Sequence, residues 1–228
     1  MAKSFGWVLL VAVALGVSAC ARDVSLKSQS EMLVDQARWT VEMFKEGNSE
    51  PDQAFRAALK DAQGIVVFPG AVKGAFIVGA EGGNGVLLVR DQNGKWGYPA
   101  FYTLGAGSFG LQVGAQSSEI VLVLRTQKAV QAVINHQGKL GGDIQMTMGQ
   151  IGAGISGATT TNVGADIVGF AHGAGVYAGA SVEGAVLARR NDLNQAYYGE
   201  GATPQTIVRD QRFANLQADP LRLSLAVN

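Results

Sequence analysis

Cysteine and histidine are scarce in this chain, which contains only Cys20, His136 and His172. A single thiol cannot form an intramolecular disulfide, and neither histidine has a cysteine or a second histidine at the spacing of metal ligands. The G-x-S-x-G turn that presents a nucleophilic serine in many hydrolases is also missing. The residues therefore predict no catalytic group, no metal and no cofactor.

The chain also lacks a formal net charge, because its 18 Lys and Arg residues equal its 18 Asp and Glu residues in number. A protein that binds nucleic acid usually carries an excess of positive charge, so a nucleic-acid partner is not expected. Basic residues are absent between Lys139 and Arg189 and gather instead at predicted turns. These turns would form one anion-binding patch if they meet at one end of the fold, and the alternative is scattered solubilising charge. The candidate lipid-binding residues are Lys73, Arg90, Lys95, Arg125, Lys128 and Lys139.

The longest apolar run at the start of the chain, from Phe5 to Val17, has about 13 residues and is too short to span a membrane. It follows Lys3 and ends in Ser18-Ala19-Cys20, which resembles the lipobox of bacterial lipoproteins. The sequence therefore predicts a signal peptide over 1–19, lipidation of Cys20 by acyl chains such as palmitate, and a lipidated tether over 20–29. The alternative is an ordinary cleaved signal with a chance cysteine.

The residue after the cysteine is Ala21 rather than Asp. This resembles the sorting pattern for outer-membrane retention in well-studied bacteria. We expect a lipid-anchored protein of the cell envelope, held at the outer membrane and facing the periplasm or the surface. Acyl chains hold a protein on a membrane firmly when two or more are present.

Two amphipathic helices are predicted at the start of a single domain spanning 30–228. Ser30 to Glu46 places Leu33, Val34 and Phe44 on one face. Ser49 is a plausible N-cap for the second helix, with Asp52 in its first turn. The pair predicts an N-terminal helical hairpin.

From Gly64 onward, short apolar runs alternate with glycine-rich segments. Pro69-Gly70, Gly82–Gly85 and Asp91–Gly94 are read as turns, and Ile120–Leu124 as a strand. The chain has 31 glycines, far above the usual share of about 7%. Glycine inside strands marks bulges, bends or close backbone approach. The predicted class is α+β: the helical hairpin packs on a strongly curved, glycine-rich, mostly antiparallel sheet or barrel-like core with short peripheral helices.

Two stretches match the G-x-G-x-x-G pattern of dinucleotide sites, one at Gly105, Gly107 and Gly110 and one at Gly152, Gly154 and Gly157. Such a site requires the motif to follow a strand and open a helix. The residues after each match favour strands, so we read both as chance matches in a glycine-rich chain.

Several short segments occur in a fixed order along the domain: Ala62–Pro69, Lys73–Phe76, Gly85–Leu88, Trp96–Phe101, Gln112–Gly114, Gly175–Gly179, Val182–Ala185 and Asn194–Gly199. Their combination resembles the SYLF family, a lipid-binding domain of bacterial envelope proteins and of eukaryotic actin-associated and endocytic proteins. The resemblance implies binding of acidic lipids, phosphoinositides in eukaryotic members, without catalysis. It also implies that an N-terminal amphipathic helix contacts membranes in some members, although helix 30–46 is not basic here.

The leading functional prediction is thus a membrane-anchored, non-catalytic lipoprotein whose domain binds acidic phospholipid head groups, of phosphoinositide type or otherwise anionic. The alternative is a structural or interaction lipoprotein that binds a protein or a cell-envelope polymer. Actin binding is implied only for eukaryotic relatives. An enzyme is the third possibility, and it would require a clustered acid–histidine pair in a deep pocket.

Overall fold

The computed structural model describes residues 25–75, 78–109, 114–135, 138–139, 146–148, 166–173 and 186–226. The predicted signal peptide, Cys20, His136 and the second glycine motif lie outside these residues. The described α-helices are α1 (Leu26–Glu46), α2 (Glu50–Lys60), α3 (Gln127–Asn135), α4 (Asn191–Tyr198) and α5 (Asp219–Ser224). The strands are β1 (Gly64–Ala75), β2 (Val78–Val89), β3 (Ala100–Phe109), β4 (Gly114–Leu124), β5 (Gly138–Lys139), β6 (Met146–Met148), β7 (Ile167–Gly173) and β8 (Val186–Arg189).

The eight described strands form one sheet in the order β5-β8-β3-β2-β1-β4-β7-β6. Every neighbouring pair is antiparallel except β6 and β7, which run parallel. The predicted α+β class and mostly antiparallel sheet are confirmed. As described, the sheet is open, with β5 and β6 at its edges, rather than closed into a barrel.

Both faces of the sheet are covered, which explains why its central strands are continuous apolar runs. Ile65, Val67 and Val121 point to one face, where α1, α2, α4 and α5 pack. Val66 and Leu122 point to the other face, against α3 and the segment around Ile207. Thr126 caps α3, because its Oγ1 accepts a hydrogen bond from the Ala129 N–H at 3.1 Å.

The helical hairpin is confirmed, although α1 begins earlier than predicted. Ser25 caps α1 by accepting a hydrogen bond from the Ser28 N–H, so the helix starts at Leu26 rather than at Ser30. The predicted tether is therefore helical over its last four residues, 26–29. Ser49 caps α2 in a reciprocal capping box with Asp52, as the spacing predicted.

Two of the predicted turns are wrong. Pro69-Gly70 lies inside β1, where the pairing with β4 shifts register between Phe68 and Ala71, so the segment is a bulge in one long strand. Gly82–Gly85 lies inside β2 and crosses that bulge. A Cβ on Gly85 would lie 2.4 Å from the Val67 carbonyl oxygen, so these glycines permit close strand approach instead of reversing the chain.

The first glycine motif also lies within a strand, because Gly105 and Gly107 belong to β3 and pair with Gly82 and Ala80. This is not the strand-to-helix turn of a dinucleotide site. Gly110 lies outside the described residues. Among the described helices, none is both long and apolar enough to cross a bilayer.

Candidate anion-binding site

The sheet brings four of the six predicted basic residues to one end and leaves two away from it. Gly64 pairs with both Val89 and Leu124, so Arg90 and Arg125 follow β2 and β4, which flank β1, at the same end of the sheet. Lys95 closes the turn after Arg90, and Lys128 lies in the first turn of α3, 3.9 Å from the Asp166 carboxylate.

Lys73 and Lys139 lie elsewhere on the sheet. In the strand register, the backbone of Lys73 lies opposite Glu81 of β2 and Gln116 of β4. This position is beyond the β1 bulge, nine residues along the strand from Gly64. At about 3.3 Å per residue this is roughly 30 Å from the end that carries Arg90. Lys139 pairs with Val186 in the edge strand β5. Neither residue lies at the end of the sheet that carries Lys95, so the six residues do not form one patch.

A basic cleft lies beside Arg90, where the turn between β2 and β3 meets the end of α2 and the last helix. Its volume is about 850 Å³. The lining residues include four cations and, as far as the chain is described, a single acid. They are Lys60, Arg90, Gly94, Lys95, Trp96, Asp219, Arg222, Leu223 and Ala226.

Arg90 is held rigidly at the wall of this cleft. Its guanidinium donates hydrogen bonds to the Leu59 and Lys60 carbonyl oxygens at 3.0 and 2.8 Å, and so satisfies the C-terminal end of α2. It also lies 4.7 Å from the centre of the Trp96 ring. Burial lowers the pKa of Arg90, and nearby Asp61 opposes that shift. The group stays protonated because the pKa of arginine is so high.

Arg222 is the second fixed guanidinium. It donates to the Trp96 carbonyl oxygen at 2.9 Å, pairs with Asp219 at 2.5 Å, and lies 4.0 Å from the centre of the Tyr98 ring. Burial raises the pKa of Tyr98, which keeps this phenol neutral, while Arg222 opposes the shift. Since Asp219 is engaged by Arg222, the remaining cations of the cleft set its positive potential.

Lys60 and Lys95 are the other two cations that line the described cleft. Within the described residues, neither ammonium group makes a hydrogen bond or an ion pair. Lys95 is presented by the Asp91–Gly94 turn, which is confirmed. Asp91 accepts hydrogen bonds from the Asn93 and Lys95 N–H groups, both at 2.8 Å, and Gly94 has a φ of 77°. The cleft thus combines two fixed guanidinium groups with two ammonium groups that can adjust to a ligand.

The C-terminal segment forms one wall of the cleft and is fastened by distant residues. The Trp96 indole N–H donates to the Leu225 carbonyl oxygen at 3.0 Å. The Lys45 ammonium donates to the carbonyl oxygens of Ser224 and Ala226 at 2.6 and 2.7 Å. These bonds dock the C-terminal segment on the domain.

Sequence reasoning did not identify Lys60 and Arg222 as site residues. Each lies on a helix that is far in sequence from the β2–β3 turn, and only the tertiary packing brings them to Lys95. The available signal was modest. Lys60 follows the apolar face of α2 in its last turn, where a cation suits the helix dipole.

His172 pairs with a buried carboxylate away from the basic cleft. Its Nε2 lies 2.8 Å from Asp52 Oδ1, and its ring centre lies 4.0 Å from that of Phe44. Burial raises the pKa of Asp52, but hydrogen bonds from Ser49 and His172 outweigh burial and lower it overall. Ser49 Oγ contacts Asp52 rather than His172, which is not the connectivity of a Ser-His-Asp nucleophile. The pair ties α2 to β7.

α1 carries exposed apolar side chains on its outer surface. Met32 is 53% exposed, Trp39 62% and Met43 37%, and the spacings of seven and four residues place them along one side of the helix. The Arg38 guanidinium lies 4.5 Å from the centre of the Trp39 ring. We call Met32, Trp39 and Met43 the outer stripe. Across the described part of the chain, no group of three or more His, Cys, Asp or Glu could hold a metal ion.

The sequence is similar to several known eukaryotic proteins. LAS seventeen-binding protein 3 of Saccharomyces cerevisiae is 28% identical over 182 residues, which are 75% of this chain and 39% of the yeast protein. SH3 domain-containing YSC84-like protein 1 is 30% identical in Xenopus laevis, over 61% of this chain and 42% of the relative. The human form is 27% identical, over 76% of this chain and 51% of its own length.

The chain therefore spans about half or less of the length of these relatives, and the yeast protein is named for binding another protein. The family model for Ysc84, described as a Las17-binding protein actin regulator, matches residues 105–227. That match covers more than half of the chain, and it confirms the resemblance to the SYLF family. The chain belongs to the Ysc84 family of SYLF-domain proteins.

Proposed function

We propose that this protein is an envelope lipoprotein, anchored through acyl chains on Cys20, whose domain binds the phosphate groups of anionic phospholipids. The observation that carries the proposal is the basic cleft between the β2–β3 turn and α5. Its four cations come from a chain with balanced formal charge, so the cleft concentrates positive potential locally.

The chemistry of the cleft suits a phosphate. Arginine forks bind phosphate oxygens in a bidentate manner, and Arg90 and Arg222 are already oriented by backbone carbonyls and aromatic rings. Little side-chain entropy is lost when such preorganised groups bind. Lys60 and Lys95 supply adjustable donors. Leu223, which is 73% exposed at the rim, gives an apolar contact for the lipid region below the head group.

The role is binding rather than catalysis. The carboxylate that lines the described part of the cleft, Asp219, is committed to Arg222 and is poorly placed to act as a general base. The name of the yeast relative describes a binding protein. The acyl anchor would already attach the protein to the outer membrane, so the cleft would recognise a lipid or orient the domain.

Vesicle co-sedimentation tests this proposal. The chain from Cys20 onward, carrying Cys20→Ser to remove the acyl anchor, is mixed with neutral vesicles and with vesicles containing an anionic phospholipid. We expect binding to the anionic vesicles only, and that binding should weaken between 50 and 500 mM salt, since surface charge is screened. Equal and negligible binding to both kinds of vesicle would refute a lipid-binding cleft.

Anchoring is tested separately with the unsubstituted chain expressed in a bacterial host. We expect the protein in the membrane fraction, with a mass increase on the residue-20 N-terminus that corresponds to acylation. The Cys20→Ser chain should lose this mass increase. An unmodified N-terminus at another position would contradict the lipoprotein proposal.

A second candidate function is the binding of a protein partner, and the outer stripe of α1 is the observation that favours it. Exposed apolar side chains on one helix face are typical of docking surfaces. The yeast relative is named for binding another protein. Cross-linking of the anchored protein in its own envelope distinguishes the two functions, because Trp39→Ala should abolish capture of a partner while leaving vesicle binding by the cleft unchanged.

A further inference from the structure

A second basic hollow adjoins the cleft at the C-terminal segment. Its volume is about 470 Å³, and Lys60 and Ala226 line both spaces. Lys45 and Arg56 supply the additional cations of this hollow. Lys60 therefore stands between two positively charged spaces.

The two additional cations of the second hollow, Lys45 and Arg56, are fixed by neutral groups. Lys45 donates to the carbonyl oxygens of the C-terminal segment, and Arg56 donates to the Lys45 and Gly47 carbonyl oxygens at 2.9 and 2.6 Å. Carbonyl oxygens orient a cation without cancelling its charge. No carboxylate is among the described residues that line this hollow, so its positive charge remains for an anion.

We infer, building on the proposed function, that the site takes a lipid head group bearing two phosphate groups. One phosphate occupies the cleft beside Arg90, Lys95 and Arg222, and the other occupies the hollow beside Arg56. Lys60 lies between them and contacts both. A head group with a single phosphate fills one space and leaves the charge of the other unmatched.

Linking the two phosphates in one molecule makes the second contact intramolecular, which raises affinity well beyond that of either contact alone. We expect vesicles containing diphosphatidylglycerol, which carries two phosphates, to bind at least about tenfold more tightly than vesicles containing phosphatidylglycerol at equal phosphate content. The probe protein is the Cys20→Ser chain. Soluble glycerol bisphosphate should compete better than glycerol phosphate, which separates recognition of the phosphates from recognition of the membrane surface.

Variants in the second hollow test the assignment. Arg56→Gln should remove most of the preference for the two-phosphate lipid while keeping binding to phosphatidylglycerol. Gln53→Glu should do the same by adding a negative charge to the hollow without removing a cation, and so guards against a folding defect in Arg56→Gln. Lys95→Gln should weaken binding to both lipids. Arg212→Gln, on an exposed residue outside both spaces, is the charge-matched control.

The outcomes separate this inference from the proposed function. Failure of the unsubstituted cleft and hollow to bind either anionic lipid would overturn the proposed function. Binding to phosphatidylglycerol without preference for the two-phosphate lipid, or a preference that survives both hollow variants, would overturn only the two-phosphate inference.

Discussion

His172 Nε2 lies 2.8 Å from Asp52 Oδ1 and joins strand β7 to the first turn of α2 across 120 residues of sequence. Asp52 is buried and also accepts the hydrogen bond from the Ser49 N–H that closes the capping box. One carboxylate thus serves a local helix cap and a long-range contact. The helical hairpin is fastened to the sheet by a polar group as well as by apolar packing.

The titration of Asp52 should make part of the stability depend on pH. Because the folded-state pKa of Asp52 is below its ordinary value of 3.8, its carboxylate favours folding fully above that value. The contribution is lost as the pH falls through the lower folded-state pKa. We expect Asp52→Asn to reduce the free energy of unfolding at pH 7 and to reduce its loss between pH 5 and pH 2. Urea titrations at each pH measure this, with Asp210→Asn as an exposed control.

Loss of the histidine should leave the buried carboxylate with one partner fewer. We expect His172→Ala to cost about 1–3 kcal/mol in the free energy of unfolding at pH 7, the usual range for the loss of a hydrogen bond to a buried charged group. The Phe44 ring also loses its neighbour, which adds to the cost. Urea unfolding monitored by tryptophan fluorescence gives the value. A change below about 0.5 kcal/mol would mean that the pair is dispensable.

Glycine at position 85 should be required by packing rather than by backbone conformation. A Cβ there meets the Val67 carbonyl oxygen and the Phe68 ring at 2.4 Å, so Gly85→Ala should destabilise the fold by about 1–3 kcal/mol or more. Gly105→Ala is the matched control, because no heavy atom lies within 4 Å of its added Cβ. Similar melting temperatures for the two variants would contradict the close approach of β2 to the bulge.

The Trp96 indole should hold the C-terminal wall of the cleft. Trp96→Phe keeps a ring beneath Arg90 but removes the donor to the Leu225 carbonyl oxygen. We expect faster hydrogen exchange across α5 and a local loss of about 1 kcal/mol, with little change in the central strands. Exchange that rises equally in β1 and β4 would show that the indole supports the whole domain instead.

The cleft lysines should control vesicle binding, and Lys73 should not. We expect Lys60→Gln combined with Lys95→Gln to weaken binding to anionic vesicles at least about tenfold and to flatten its salt dependence, since two charges are removed. Lys73→Gln removes the same type of charge roughly 30 Å away along β1 and should have a smaller effect than either cleft substitution. Binding that falls most with Lys73→Gln would place the site at the opposite end of the sheet.

Local signals predicted the helices well because caps are local chemistry. Ser49 and Asp52 satisfy N–H groups three residues apart, so their spacing alone identified the start of α2. The apolar face of α1 was predicted equally well, and Leu33, Val34 and Phe44 are buried as predicted. The start of α1 was predicted four residues too late, because the polar residues before Ser30 show no apolar periodicity.

The glycine-rich segments led to wrong turn predictions. Whether a glycine reverses the chain or permits close packing depends on the residues that face it, and these are distant in sequence. Pro69-Gly70 and Gly82–Gly85 have the composition of turns, yet both lie in long paired strands where a bulge and a close crossing require small residues. The candidate site was predictable only in part, because some of its residues are also distant from one another in sequence. Arg90 and Lys95 share one turn, whereas Lys60 and Arg222 reach it only through tertiary packing.

The 21 residues of α1 also set a distance, because a helix of that length is about 30 Å long. Leu26, at one end, follows the predicted acyl anchor within a few residues, and Lys45, at the other end, borders the second hollow. The length of α1 thus sets the distance between the proposed anchor and the site. If Cys20 is acylated as proposed, a helix lying flat would place the site against the bilayer that holds the anchor. With the same proposed anchor, a helix standing upright would carry the site outward by about the thickness of a hydrocarbon core, toward an opposing membrane.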